Sequence, residues 1–398
     1  MAVRIAESVL SAWRDELDEV PGEPGVQMLL SPAGDHQQAA RAVRESFVEL
    51  HDAYSDELDR SESEPWWPGE WDTLRVPGGV VVRVEDFDAD ESALFAFAAG
   101  LERRGVEGSL DVYHPPAVPT PPNAAHLLEC RVRVRGERLR AEPRIYHWRA
   151  DLRAHEAILA AAERWCRQRM PQAACKLTAG RIGVPVEAGE DVLDRMRDAV
   201  IDSEPTVVST VSDDEFRSVA ARSSSGGVSL IVGGARVEDG GWRSALSELT
   251  DLLHEHADLL AYAYVRRGWA YRAAVLHREL SADWPRRPND QPRGPGGTPE
   301  AFEDVYAPDA FGVQLLGPGY AGRAPKSAAW RQQPAGSAAV LLEHVDLAAW
   351  FDAPFVPFWT AEQAPPPTIL ARARMELAPI LYSPGVLSRN GYAAENEL

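Results

Sequence analysis

The stretch GGVVVRVEDFDADESALFAFAAGLERRGVEGSLDVY, residues 78–113, changes its hydrophobic period twice. Residues 80–87 are rich in β-branched side chains, which favour a strand. Apolar side chains then recur at helical spacing across residues 90–104, and residues 109–113 again have the composition of a strand. The stretch is therefore predicted to form a strand, a helix and a second strand.

A similar order of elements continues along the chain. Strands are predicted at 127–135 and 144–149, and a long helix follows at 152–169. Further strands are predicted at 177–186, 206–211, 228–232 and 260–266, with helices at 190–201 and 242–256. The order βαββαβ suits a ferredoxin-like sheet with two helices on one face. The sequence thus predicts an α+β protein with two tandem ferredoxin-like (βαββαβ) units.

Domain boundaries are predicted where proline and glycine interrupt the hydrophobic pattern. The predicted parts are an acidic helical segment at 1–72, a first α+β unit at 78–170, a second α+β unit at 175–280, a Pro/Gly-rich linker or loop at 281–299, and a small Pro/Trp-rich C-terminal unit at 300–390. The linker composition is poor at forming a core.

The chain of 398 residues is acidic, with a formal net charge of −20. No apolar run reaches the ~18 residues that a membrane-spanning helix needs, and the N-terminus lacks the basic start and apolar core of a signal peptide. The chain has three cysteines and no CxxC pair, which suits reduced thiols. Of these, Cys166 and Cys175 are predicted to pack as small apolar residues. The protein is therefore expected in the cytoplasm, without membrane insertion.

The acidic N-terminal segment is the predicted surface for a protein partner. Residues 1–72 hold 17 acidic residues and 5 arginines, a net charge of −12. Carboxylates steer a basic partner, and aromatic side chains supply binding energy at low entropy cost. The predicted contact residues are Asp15, Glu16, Asp18, Glu19, Trp66 and Trp67. The alternative is a solvated helical surface.

A basic patch lies on the predicted strand at 127–135. Arg131, Arg133 and Arg135 alternate with valines, so a period of two places three guanidiniums on one sheet face, and Arg149 follows in the next strand. The patch is a candidate anion site, and with nearby aromatic residues it suggests single-stranded nucleic-acid or phosphate binding. The acidity of the whole chain favours contacts between these arginines and carboxylates instead.

An enzyme with a spatially assembled acid and histidine site is the main rival interpretation. Its candidate groups are Glu85, Asp86, Asp88, His147, Arg149 and His155. Catalysis requires several of them to meet in one concave pocket. The acidic run also precedes a predicted helix, where Asp88 or Asp90 can cap free amides. We favour capping over cation binding there.

No metal ion or cofactor is predicted. His254 and His256 are two residues apart, whereas a helical zinc pair needs a spacing of three or four to share one face. The run GPGYAG at 317–322 matches GxGxxG, but Pro325 falls where the phosphate-binding helix should begin. We interpret this run as a turn.

The sequence therefore favours a non-enzymatic protein-binding protein, such as an inhibitor or immunity-type protein or a component of a larger assembly. Serine nucleophile elbows, HExxH helices and kinase loops are absent from the sequence. No catalytic residue is assigned, and enzymatic activity and nucleic-acid binding are the two alternatives.

Overall fold

The computed structural model describes residues 3–17, 25–58, 70–85, 90–114, 127–142, 145–179, 182–187, 189–199, 206–222, 227–234, 237, 241–268, 302–320, 322–352 and 367–382. The chain divides into two compact units. The first comprises Met1–Val118 and Lys176–Thr206, and the second comprises Pro119–Cys175 and Val207–Leu398. None of the described helices is both long enough and apolar enough to span a membrane.

The described residues form a mixed α+β structure. The helices are α1 (Glu7–Leu17), α2 (His36–Leu58), α3 (Glu91–Arg103), α4 (Leu152–Gln168), α5 (Leu193–Ala199), α6 (Trp242–Glu255), α7 (Ala348–Phe351) and α8 (Pro367–Leu377). The strands are β1 (Val3–Ile5), β2 (Val26–Pro32), β3 (Glu70–Val76), β4 (Gly79–Glu85), β5 (Gly108–Val112), β6 (Leu127–Val134), β7 (Gly136–Glu142), β8 (Ile145–Ala150), β9 (Ala174–Ala179), β10 (Ile182–Val186), β11 (Thr206–Val211), β12 (Phe216–Arg222), β13 (Gly227–Gly233), β14 (Leu260–Gly268), β15 (Val313–Leu316), β16 (Trp330–Ala335) and β17 (Ala339–His344).

The first unit contains a five-stranded sheet in the order β1-β5-β2-β4-β3. Strand β2 is antiparallel to both β4 and β5, β3 is antiparallel to β4, and β1 is parallel to β5. Elements β2 to β5 with α2 and α3 follow the chain order βαββαβ. This order is the one expected from the sequence, but it begins at β2 rather than at β4.

The core of the first unit lies between this sheet and helices α1, α2 and α3. Trp13 of α1, Phe97 of α3 and Met28 of β2 are fully buried in it, because each comes from the apolar face of its element. The Trp71 ring lies 4.7 Å from the Phe97 ring. Helix α5 and strand β10 contact β3.

The start of α3 confirms one of the two predicted helix caps. Asp90 has extended backbone angles, and its carboxylate accepts a 2.8 Å hydrogen bond from the Ser92 amide. This contact lowers the pKa of Asp90, because it stabilises the charged form. Asp90 is therefore the N-cap of α3.

The structure differs from the expected boundaries in its N-terminal part. The predicted helical segment contains α1 and α2, but β1 and β2 accompany these helices and pair with β5. The boundary between residues 72 and 78 falls inside the β3–β4 hairpin, where Gly78 has φ of +93°. Short strands between proline-rich and polar segments give weak periodic signals, so these strands were not predicted.

Eight strands of the second unit lie side by side in the order β11-β12-β13-β6-β14-β15-β17-β16. The described pairings from β12 to β16 in this series are all antiparallel. The predicted C-terminal unit at 300–390 is thus not separate, because β15 pairs directly with β14. Every residue of β15 is buried, so its backbone N–H and C=O groups need hydrogen-bond partners from a strand on each side. The predicted linker at 281–299 lies outside the described residues.

Helices α4 and α6 pack on one face of this sheet. Helix α4 contacts β12, β13 and β6, and α6 contacts β6 and β14. Cys166 of α4 is fully buried, and its thiol lies 3.2 Å from the Arg217 carbonyl. Burial raises the pKa of Cys166 to about 12, so its thiol stays protonated and unreactive. Cys130 of β6 is also fully buried, whereas Cys175, which was predicted to pack in the same way as Cys166, is partly exposed.

The GPGYAG run forms a turn, as predicted. Pro318 to Tyr320 make one 3-10 turn after β15, and the next described regular element is β16. Gly317 packs so closely on the Ala261 carbonyl that a β-carbon would clash with it. The buried Tyr320 ring stacks on Tyr262. The glycine therefore serves chain packing at this turn.

Candidate functional site

A cleft of about 1030 Å3 opens in the second unit. Its walls are residues 169–174 after α4, the turn 211–215 between β11 and β12, and residues 241–248 at the start of α6, and Arg217 lies among the lining residues. We call this the charged cleft. Its volume is at the upper end of the range for small-molecule pockets, so it can accommodate a peptide segment.

The floor of the charged cleft is a buried ion network centred on Arg217. Its guanidinium donates to Glu215 at 2.7 Å and to Glu248 of α6 at 2.6 Å. The Arg217 side chain is only 7% exposed, and it lies over the Trp165 ring of α4 at 4.9 Å. These contacts hold β12, α4 and α6 together around one charge.

The electrostatics of this network favour a charged Arg217. Burial acts to lower the pKa of Arg217, but the hydrogen bonds that its guanidinium donates to Glu248 and Glu215 outweigh burial and raise the pKa. Glu248 also lies 3.6 Å from the guanidinium of Arg169 at the rim. The two glutamates and two arginines therefore neutralise one another.

The turn between β11 and β12 adds further carboxylates at the rim. The Ser212 amide donates to the Glu215 carbonyl at 2.9 Å, and the Ser212 hydroxyl contacts the Asp214 carboxylate at 3.0 Å. These bonds fix the turn and leave Asp213 exposed. The described lining thus carries four carboxylates against two guanidiniums, a net charge of −2.

Sequence reasoning missed the residues of the charged cleft. The signal that was available is the run Ser212-Asp-Asp-Glu215 between two apolar stretches, which is typical of a turn. Strand β12 was not predicted, because Arg217 and Arg222 interrupt the apolar pattern of this largely buried strand. Glu248 is 31 residues from Arg217 and gives no local signal.

The arginines of the predicted basic patch each contact a carboxylate within the second unit. Arg133 is buried and pairs with Glu303 at 2.7 Å. Arg135 pairs with Asp151 at 3.2 Å, and Arg149 pairs with Glu137. These contacts support the intramolecular interpretation of the patch.

Arg131 is the remaining member of that patch. Its Nε atom lies 3.9 Å from Glu129, and its guanidinium lies 3.5 Å from the Tyr264 hydroxyl. The charge of Tyr264 in its ionised form, followed by that of Glu129, raises the pKa of Arg131. Glu129 also pairs with Arg266 of β14. Arg131 therefore belongs to a cross-strand network on the sheet.

The predicted partner-contact residues are only partly described. Asp15 is exposed near the end of α1, and Glu16 lies in that helix. The Glu16 side chain, together with Asp18, Glu19, Trp66 and Trp67, lies outside what the structure describes. Their role remains a prediction.

Two of the candidate catalytic groups, Glu85 and Arg149, have local partners. Glu85 forms a buried ion pair with Arg83 of the same strand. Arg149 pairs with Glu137, and His155 is buried in the first turn of α4. Asp86, Asp88 and the His147 side chain lie outside the described residues.

The two histidines of α6 have separate surroundings. His254 Nε2 lies 3.2 Å from the Pro334 carbonyl, whereas His256 is the C-cap of the helix. Over the described ranges, no three or more His, Cys, Asp or Glu side chains are grouped so as to hold a metal ion.

His155 makes the stability of the protein depend on pH. It is 6% exposed, and its Nε2 atom has no hydrogen-bond partner among the described residues. Burial lowers the pKa of His155 below its usual value of 6.5, and Glu156 opposes this effect. The unfolded chain therefore binds the proton more readily, so the contribution of the neutral imidazole is complete above pH 6.5 and is lost as the pH falls below it.

We accordingly expect the free energy of unfolding to fall more steeply below pH 6.5 in the parent than in His155→Gln. Urea denaturation of both proteins at a series of pH values measures this difference in the free energy of unfolding. The contributions of the other titrating groups are the same in both proteins and cancel when the two curves are subtracted. Parallel curves would show that His155 titrates equally in the folded and unfolded chains.

No family model and no curated protein matches this chain. Among solved structures, a Pseudomonas aeruginosa T6SS protein is similar at 11% sequence identity with a TM-score of 0.36. The match covers 65% of this chain and 73% of that chain. A likeness at this level carries no argument about function.

Proposed function

We propose that the protein is a non-enzymatic protein-binding protein, of the inhibitor or immunity type or a component of a larger assembly. In this proposal it acts in the cytoplasm, and the charged cleft receives an Arg- or Lys-rich segment of its partner. The chemistry of the lining specifies a cationic segment rather than a particular sequence.

The observation that carries the proposal is the excess of carboxylates in a concave surface. Arg217 and Arg169 are each ion-paired inside the charged cleft, so neither is available to attract an anion. The lining as a whole keeps a net charge of −2, and Asp213 is exposed at the rim. A concave surface with a net negative charge attracts a cationic segment and raises the rate of encounter with it.

The two alternatives have less support from the described contacts. Single-stranded nucleic acid needs cationic groups that are free for phosphates, whereas the arginines of the basic patch contact carboxylates. An acid and histidine enzyme needs a shared pocket, whereas Glu85 and Arg149 each pair locally.

Hydrogen–deuterium exchange with an octa-arginine peptide tests this proposal at the level of the site. We expect the peptide to slow amide exchange at residues 169–174, 211–217 and 241–248, because these segments line the charged cleft. An octa-glutamate peptide is the control and should protect none of them. Protection found only elsewhere on the chain would reject the charged cleft as the binding surface.

Two finer predictions also enter the proposal. The chain order βαββαβ and the strand order β5-β2-β4-β3 support a ferredoxin-like sheet in the first unit. A second such unit at 175–280 stays a prediction, as does partner contact through Asp15, Glu16, Asp18, Glu19, Trp66 and Trp67.

A further inference from the structure

A buried guanidinium in the first unit has one edge without an acceptor. The Arg195 side chain of α5 is 6% exposed. Its Nη1 atom forms an ion pair with Glu190, whereas Nε and Nη2 are buried and have no hydrogen-bond partner within the described part of the chain. Buried N–H groups are almost always paired, so this edge requires an explanation.

The geometry of the guanidinium shows what would satisfy it. The N–H bonds of Nε and Nη2 point in the same direction from one edge of the planar group. Such a fork matches two oxygens of a carboxylate or phosphate, and each hydrogen bond is strengthened by charge. A single neutral acceptor cannot satisfy both donors equally well.

A further donor lies within electrostatic range of the same group. Burial raises the pKa of the Tyr113 hydroxyl, and the positive charge of Arg195 opposes that effect. The Tyr113 amide donates to the Gln27 carbonyl at 2.8 Å, which fixes the residue beside β2. Tyr113 is partly exposed, whereas the Nε and Nη2 atoms of Arg195 are buried.

We propose that Arg195 binds an oxyanion, a carboxylate or a phosphate group, through the free Nε and Nη2 edge, with Tyr113 as a neighbouring donor. Glu190 holds the opposite side of the guanidinium and keeps its fork in place. The site is in the first unit and does not depend on the charged cleft, which is in the second. The anion belongs either to a small molecule or to an acidic side chain of a peptide.

The site is tested by titrating the full chain with three probes. Binding of each probe is measured by calorimetry and by the change in melting temperature. The probes are sodium acetate, sodium phosphate and a capped tri-glutamate peptide, each compared with sodium chloride at equal ionic strength. We expect saturable binding of at least one probe to the parent. Preference for acetate or phosphate identifies a small anion, and preference for the peptide identifies an acidic side chain.

Variants locate the binding. Arg195→Met should abolish it, and Arg195→Lys should weaken it at least tenfold, because an ammonium keeps the charge but lacks the fork. Tyr113→Phe should fold and bind the probe a fewfold more weakly than the parent. This variant tests the site if Arg195→Met fails to fold. Arg149→Gln removes an exposed charge and should bind like the parent. Equal binding by Arg195→Lys and the parent, or no binding of any probe by the parent, would overturn the proposal.

Discussion

Replacing Arg217 with methionine is expected to lower the free energy of unfolding by about 3–5 kcal/mol, because the change removes the buried partner of both Glu215 and Glu248 and leaves Glu248 only the exposed Arg169. Glu215 is 10% exposed and Glu248 is 21% exposed at the side chain. Neither carboxylate can return to water without disrupting the floor of the charged cleft. Urea denaturation of the parent and the variant measures the loss.

Two companion variants show how much of the loss in stability comes from buried charges that have lost their partner. Arg149→Gln breaks an exposed pair and should cost only about 0–1 kcal/mol. Adding Glu215→Gln and Glu248→Gln to Arg217→Met should recover part of the stability, because no buried charge then remains unpaired. A loss for Arg217→Met no larger than that for Arg149→Gln would show that the network is not structural.

Several elements of the fold could be predicted because their signals are local. Helix α4 has a continuous apolar face and a capping Asp151, so both its position and its start follow from the sequence. The alternation of Arg131 and Arg133 with valines placed both arginines on one strand, β6. Periods of two and 3.6 report which residues share a face of an element.

The same periods do not report which strands pair. Strand β6 lies between β13 and β14, which are both more than ninety residues away in sequence. Strand β15 joins β14 across the predicted linker, so the expected C-terminal unit merged with the preceding sheet. Pairing at such separation depends on burial of the whole sheet rather than on local composition.

The candidate site depends on long-range contacts in the same way. Arg217 is a charged residue in a strand, and sequence reasoning does not place a charge in a core unless its partners are known. Its partners come from a turn and from α6. The predicted arginine patch had a local signal, but its carboxylate partners Glu303 and Asp151 come from other elements.

Reversing two rim charges is expected to have the largest effect on binding. Asp213→Lys with Asp214→Lys turns the negative excess of the charged cleft into a positive one and thus replaces attraction of a cationic segment with repulsion. The variant loses the Ser212–Asp214 hydrogen bond, but the bond from the Ser212 amide to the Glu215 carbonyl and the floor network of Arg217, Glu215 and Glu248 remain, so the fold should persist. Like-charge juxtaposition at a binding surface is far costlier than loss of one exposed pair.

A matched control changes the net charge equally at another place. Asp52→Lys with Glu255→Lys reverses two exposed acids on α2 and α6, and neither residue lines the charged cleft or belongs to the predicted partner-contact residues. Both double variants lose the same amount of overall negative charge. Any difference between them therefore reports where the cationic segment binds.

The most direct test is the affinity of labelled octa-arginine, measured by fluorescence anisotropy at low ionic strength for the parent and both double variants. Asp213→Lys with Asp214→Lys should weaken binding by on the order of tenfold to a hundredfold, and the control should stay within about threefold of the parent. Equal affinity for the parent and the rim variant, or a larger loss in the control, would contradict binding of a cationic segment in the charged cleft.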